Sequence, residues 1–393
     1  MLDLTDVPVI DNHCHSIIHG HARLGARDWE GCFTEAASPQ MRHRHAAATL
    51  AFRRTLRLLA AELGVGPDAG DDLADAVAAA RTALGDDELS RRLLRAANAT
   101  MFLLDDGYPT APHRTDAEFA ALSGAATARI ARLEPIMERV LPAASTPDDA
   151  RDRLLAELDG LAGRAVALKS AIAYRTGLAI TTWDADQVEA SCNQARRDAA
   201  RYGGRLRLNH RPIHEHLLRA ALRWAAAHRI PVQFHTGYGD PDLDLRLANP
   251  LHLRLLLEDP ALRGLRLVLL HGCWPYTREG AFLAAVYEGV FLDVSYAIPF
   301  LSTAETRAMT RAALSAAPTT KLLYSSDGVT IPDLHWSGAH TARRILGAVL
   351  TEAVTDGDLT RREAERTAHA ILYGNARHLY GLAEQGRGAG QRD

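Results

Sequence analysis

Cysteine is scarce: Cys14, Cys32, Cys192 and Cys273 are the four in 393 residues. They show no CxxC spacing, which excludes a disulfide framework. A reducing, cytoplasmic compartment is the default expectation. No apolar run approaches the roughly 20 residues needed to cross a bilayer. The opening stretch, MLDLTDVPVI, is acidic and lacks a long apolar core, so it does not read as a signal peptide. Net charge is −3. Without a basic excess, neither nucleic acid nor a membrane surface is an expected partner. Lysine is rare too: Lys169 and Lys321 stand out in a chain that strongly prefers arginine. The remainder, 47% hydrophobic and 24% charged, is ordinary globular composition.

Histidine is abundant, with 18 copies. Most, such as His43, His45, His113, His228 and His378, lie among Arg and Ala in helical or loop stretches and read as surface residues. The informative ones end strands. Val9 to His15 reads VIDNHCH, a short apolar run closing on His-x-His. Alternate strand residues share a face, so His13 and His15 project together while Cys14 points away. Two imidazoles on one face can converge on a metal ion, although an isolated pair of this kind is weak evidence. A second pair, His19 and His21, flanks Gly20 beyond the apolar run and reads as loop that can line a cavity.

A segment of about residues 19–97 follows, rich in Ala, Leu, Arg and Asp. Arg42 to Leu63 and Asp71 to Leu84 pattern as amphipathic helices, broken at GVGP and LGDD. Apolar strands then alternate with helices. The strands are Thr100 to Leu104, Arg129 to Glu134, Ala165 to Ser170, Pro231 to His235, Leu265 to His271, Val290 to Ser295 and Lys321 to Asp327. With the first strand this makes eight β units. The pattern predicts an α/β fold, a (β/α)8 TIM barrel, with a helical insertion after strand one and extra C-terminal helices from His340 to Leu382. One barrel domain is expected over residues 1–385, with 386–393 disordered.

Polar residues recur at the C-terminal ends of these strands: His13 and His15, Lys169, His235, His271 and Asp327. Any one could be a core hydrogen-bonding group or a helix cap. Barrel active sites lie at the face where those ends meet, so their agreement points to one site.

The order HxH, Lys, His, His, Asp resembles the amidohydrolase superfamily of metal-dependent barrel enzymes. Longer stretches narrow the likeness: LKSAIAYRTGL (Leu168 to Leu178), PVQFHTGYGD (Pro231 to Asp240), DLRLANPLHL (Asp244 to Leu253), LLHGCWPY (Leu269 to Tyr276) and KLLYSSDGVTIPDLHW (Lys321 to Trp336). They are similar to the amidohydrolase-2-type domain found fused to glutamine-synthetase-like domains, and to its stand-alone relatives. The resemblance implies that His13 and His15 hold a metal with Asp327. It also implies that His235 and His271 hold a second ion and that Asp327 and His271 are catalytic. Imidazole with carboxylate suits Zn²⁺ best, with one or two ions, and Mn²⁺, Fe²⁺ or Ni²⁺ are alternatives. A metal lowers the pKa of water from about 16 to about 7, and Asp327 would take up and return the proton.

An ammonium among metal ligands would repel the ions, so Lys169 has two readings. As in several branches of the superfamily, its neutral amine can add CO₂ to give a carbamate that bridges two metals. Otherwise it remains an amine that binds a substrate carboxylate. Tyr174, Arg175, Tyr238, Arg246, Trp274 and His335 are the substrate-shell candidates. Arg175 or Arg246 can clamp a carboxylate, and Arg246 with Asp240 can instead form a structural ion pair between loops. The expected activity is hydrolysis of an amide-type C–N bond in a small molecule. A single-metal non-oxidative decarboxylase or C–C hydrolase, with His271 as acid/base, is the alternative. A non-catalytic binding protein is disfavoured because every ligand position is filled. A homo-oligomer is expected.

Overall fold

Most of the strands are short runs buried along nearly their whole length, as a parallel sheet sandwiched by helices requires, while the second and third begin half-buried. In the computed structural model, which describes residues 1–66, 70 and 72–383, eight of them pair in sequence order. They are β1 (Val9–Cys14), β2 (Ala99–Asp105), β3 (Ala126–Arg132), β4 (Ala167–Ser170), β5 (Val232–Phe234), β6 (Leu267–Leu269), β7 (Val290–Ser295) and β8 (Leu322–Ser325). All neighbouring pairs are parallel. The first and last strands meet just beyond β8. The Asp327 amide donates to the His13 carbonyl (3.0 Å) and the His15 amide to the Gly328 carbonyl (2.8 Å). The seam of the (β/α)8 barrel therefore runs through the His-x-His motif and Asp327.

The α-helices are α1 (Ala26–Glu30), α2 (Leu50–Leu63), α3 (Leu73–Ala96), α4 (Asp116–Ser123), α5 (Leu133–Val140), α6 (Pro147–Asp159) and α7 (Ala185–Arg201). The chain continues with α8 (Arg211–His228), α9 (Arg254–Leu257), α10 (Thr277–Val286), α11 (Thr303–Leu314), α12 (Pro332–Asp356), α13 (Arg361–His369) and α14 (Asn375–Leu379). Inward residues Ile10, Leu103, Ile130, Ala167, Val268, Leu270 and Leu323 fill the barrel and pack on Ala376, Leu379 and Tyr380. Asn375 donates to the carbonyls of Thr319 and Leu322, where β8 begins. The C-terminal helices therefore close the N-terminal end of the barrel, leaving the opposite end open.

Some boundaries differ from the sequence reading. The third strand ends at Arg132, because Leu133 already opens α5. The stretch before α2 is a π turn (Met41–His45) and a 3-10 turn, and α2 starts only where the Thr49 side chain accepts from the Phe52 amide. The break read at LGDD is present: Gly85 is non-helical, and α3 consists of two helical stretches that meet there across a kink. Gly85, at φ 75°, takes a conformation closed to most L-residues, and α3 continues to Ala96. Part of GVGP and the expected Asp71 helix start lie outside the described residues, as does the 386–393 tail. The C-terminal helices begin earlier than His340: α12 starts at Pro332, with proline in the first turn.

The insertion has its own small core. Trp29, Phe33 and Phe52 meet edge-to-face at 5.2–5.6 Å, and Ile331, Leu334 and Trp336 join them from the β8–α12 junction. One polar cluster locks this packing. Arg81 on α3 forms a bidentate pair with Asp333 on α12 (3.0 Å for each bond), both fully buried. The Trp29 indole donates to the same carboxylate (3.1 Å), and the Arg81 guanidinium lies 5.1 Å from the Trp29 ring centroid. Arg81→Met is expected to destabilise the fold by about 3–5 kcal/mol, because it strands a buried carboxylate. Arg81→Met with Asp333→Leu should recover most of that loss. Chemical denaturation of the two variants checks this, and equal losses would show that the charges do not act as a pair.

Candidate metal centre and active-site cavity

His13 is set by an amide underneath it. The Gln233 NH2 group donates to the Asn12 carbonyl (2.7 Å) and the Tyr380 hydroxyl (2.9 Å). Its Oε1 then accepts from His13 Nδ1 (2.8 Å). The proton is thereby fixed on Nδ1, and Nε2 presents its lone pair to the barrel mouth. There Nε2 lies 3.5 Å from Asp327 Oδ1 and 3.4 Å from Lys169 Nζ. His15 projects from the same side, as the strand pleat requires, with Nε2 3.7 Å from the same Asp327 oxygen. The other Asp327 oxygen faces His271 Nδ1 (3.2 Å) and accepts from the Tyr238 hydroxyl (3.1 Å).

The backbone is bent to achieve this. Asp327 and His271 have φ of 56° and 62°, values uncommon for residues other than glycine. Such strain gathers where a side chain must be aimed against local preference. A polar layer supports the turn at His271: Asp293 accepts from its backbone amide (3.1 Å) and from Ser295 (2.8 Å), and the Asn12 amide donates to Asp293 (2.5 Å).

Burial sets the charge states. It lowers His13, His235 and His271 well below the usual imidazole range, so these rings are neutral donors to a metal at pH 7. Burial alone would raise Asp327, but His271 and His15 outweigh it and hold the carboxyl down to about 2. Lys169 is 2% exposed. Desolvation brings its amine down to about 8 against the pull of Asp105.

The arrangement fits a divalent cation. Ligand atoms of His13, His271 and Asp327 lie within 4.8 Å of one another. The same is true of His13, His15 and Asp105, and His15 Nδ1 is buried without a hydrogen-bond partner among the described residues. Asp105 is the weaker candidate, because the Arg132 guanidinium already holds both its oxygens at 2.6–3.2 Å. His235 sits beside His271, Nδ1 to Nε2 at 3.0 Å, with its own Nε2 on the Tyr238 carbonyl (2.7 Å). Both its ring nitrogens are engaged, so a second ion between these two rings requires the pair to open.

A cavity of about 760 Å³ lies over this cluster. Tyr174, Arg175 and Tyr238 line it, together with Asp327, Lys169 and the four histidines. The Tyr174 ring packs on His235 (4.5 Å between centroids), and Arg175 Nη2 stands 3.6 Å from Glu138.

Three of the substrate-shell candidates do not reach the cavity. Arg246 is 87% exposed and folds back on Asp244 (2.7 Å), so it neither clamps a carboxylate there nor pairs with Asp240. The Trp274 indole turns to Glu305 (2.9 Å). His335 is fully buried and does not line the cavity; its Nε2 bonds the carbonyl of His15 (2.9 Å). The second His-x-His is not in the cavity either: His19 is exposed and His21 is buried against Ser90 (2.9 Å).

Other residues of the site were not anticipated. Asp105 ends β2 as Asp327 follows β8, a signal the sequence did carry. Arg132, level with Lys169 across the sheet, and Gln233 lie on strands and carried no such signal. The insertion does line the mouth, through Gly31, Cys32, Thr34, Glu35 and Arg42.

A sequence model of the amidohydrolase family matches residues 10–382. The chain belongs to the amidohydrolase family. It is 30% identical, over 409 aligned positions and 96% of its length, to the protein fluG of Emericella nidulans. It spans about half of that relative, 46% of its length. Among solved structures, a protein described as a metal-dependent hydrolase from Lactobacillus casei superposes with a TM-score of 0.82 at 26% identity, covering 97% of this chain and 98% of that one. A uronate isomerase from Thermotoga maritima shares the fold, with a TM-score of 0.67 at 14% identity over 96% and 95% of the two chains. This amidohydrolase-family chain thus carries a His/Asp cluster that can bind a metal ion at the mouth of its barrel. Among the described residues, no helix is long and apolar enough to cross a membrane.

Proposed function

We propose that this protein is a metal-dependent hydrolase that cleaves an amide-type C–N bond in a small molecule. The observation that carries the proposal is the setting of Asp327. One carboxylate oxygen faces the Nε2 atoms of His13 and His15, and the other faces His271 and the Tyr238 hydroxyl. His13, His15, His271 and Asp327 would hold the ion, Zn²⁺ being the best match to imidazole and carboxylate. Such an ion supplies Lewis acidity, which makes water a nucleophile near neutral pH.

The chain's own groups do the rest. Asp327, ionised at pH 7, accepts the proton of the attacking water and returns it to the leaving nitrogen. Tyr238, whose hydroxyl already donates to Asp327, orients that carboxylate and borders the reacting carbonyl. Lys169 lies next to His13, and its pKa, lowered to about 8, raises the fraction of neutral amine that carbamate formation needs. A carboxylated Lys169 would add an anionic ligand to the centre.

The test is a panel of N-acyl and γ-glutamyl amides set beside carboxylated aromatic acids, offered to protein reconstituted with Zn²⁺ or Mn²⁺. Release of amine or ammonia without CO₂ is the expected result. Removing the metal with a chelator should abolish turnover, and adding it back should restore turnover. Release of CO₂ from the acids, with the amides untouched, would replace this reading by the decarboxylase one.

A further inference from the structure

Glu35 belongs to the loop after α1, in the part of the insertion that walls the cavity. Among the described residues its carboxylate has no hydrogen bond and no ion pair. The arginines of the same wall are otherwise disposed. Arg132 is held by Asp105 (2.6 Å), Arg207 by Asp242 (3.0 Å), and Arg42 donates to the Gly31 carbonyl (3.3 Å). Nor is Glu35 a member of either group of converging metal-ligand atoms.

Its surroundings are acidic and aromatic. Asp327 and Asp240 both raise its pKa, and burial, the largest cause, brings it to about 7. In turn its charge is felt by Tyr108, Tyr174 and Tyr238, which ring the same space. A carboxylate placed among other carboxylates without a cation is costly unless the occupant of the cavity brings one. Phenol rings around it add cation–π attraction. Trp29 of α1, six residues before Glu35, is tied to the buried Arg81–Asp333 pair.

We propose that Glu35 is a specificity-determining residue that receives a positively charged group of the substrate, an ammonium or guanidinium, at the cavity mouth. The proposal rests on reading this cavity as the substrate site. It predicts that the substrate is a cationic amide, with its charge displaced from the scissile bond towards the insertion.

The test uses binding, so that it does not depend on knowing the reaction. n-Propylguanidinium and its neutral isostere n-propylurea are titrated calorimetrically into the zinc-loaded protein. The wild type should prefer the cation by about tenfold, or about 1.4 kcal/mol. Glu35→Gln should bring the two to near-equal affinity at unchanged metal content and melting temperature. Glu35→Asp should keep part of the preference. Equal binding of both probes to the wild type, or binding of neither, overturns the proposal. So does a preference that survives Glu35→Gln, or loss of metal in that variant. If the amide panel fails while the preference and its Glu35 dependence hold, the assigned reaction falls and the cation site stands.

Discussion

Asp327→Asn is expected to lower turnover by on the order of 10³-fold or more, with the barrel still folded. Two effects combine. A general base commonly contributes about 10²–10⁴-fold, and an amide cannot take the proton. The substitution also removes the negative charge that faces His13, His15 and His271 at once. The fold should tolerate it, since Asn is nearly isosteric, among the residues most tolerant of positive φ, and still able to accept from Tyr238. Metal content should fall less than rate, because the imidazoles remain. Elemental analysis alongside kinetics separates the two effects. Near-normal turnover with a full metal complement would remove Asp327 from its proposed role.

Lys169→Ala is expected to cost most of the activity together with part of the bound metal. The amine is buried at 2% exposure, next to His13 Nε2, and its lowered pKa follows from that burial. If it carries CO₂, ¹³C-bicarbonate should label a carbamate carbon in the wild type and not in the variant. Small carboxylic acids added to Lys169→Ala should partly restore turnover by filling the vacated space with a carboxylate. If Lys169 is a plain amine that binds a substrate carboxylate, there is no label, the metal stays, and the loss appears in KM. These outcomes distinguish the two readings of the residue, because only the first makes it a ligand.

Part of the site was legible because strands impose a period of two and barrels collect their C-terminal ends. His13 and His15 are two apart and share a face whatever surrounds them. Lys169, His235, His271 and Asp327 each follow an apolar run, and in a (β/α)8 barrel those positions meet at one end. The helical insertion was visible as a break in the alternation, and its exit just after β1 placed it at the same end.

What loops do was not legible in this way. Arg246, Trp274 and His335 are near the strand ends in sequence, but nearness in a loop does not fix direction. Arg246 turned to Asp244, Trp274 to Glu305, and His335 to the His15 carbonyl. Glu35 and Arg81 lie in a region with no periodic relation to the barrel, so their roles depend on how the insertion packs.

The sequence by itself determined the eight alternating units, the face on which His13 and His15 stand and the strand ends that carry the site. Each of these follows from local periodicity and apolar burial. Only the tertiary structure decided that Gln233 sets the His13 tautomer, that the β1–β8 seam puts Asp327 between three imidazoles, and that Glu35 faces the cavity without a partner among the described residues. Those outcomes depend on contacts between residues remote in the chain, where the geometry of packing, and not local propensity, selects which polar groups meet.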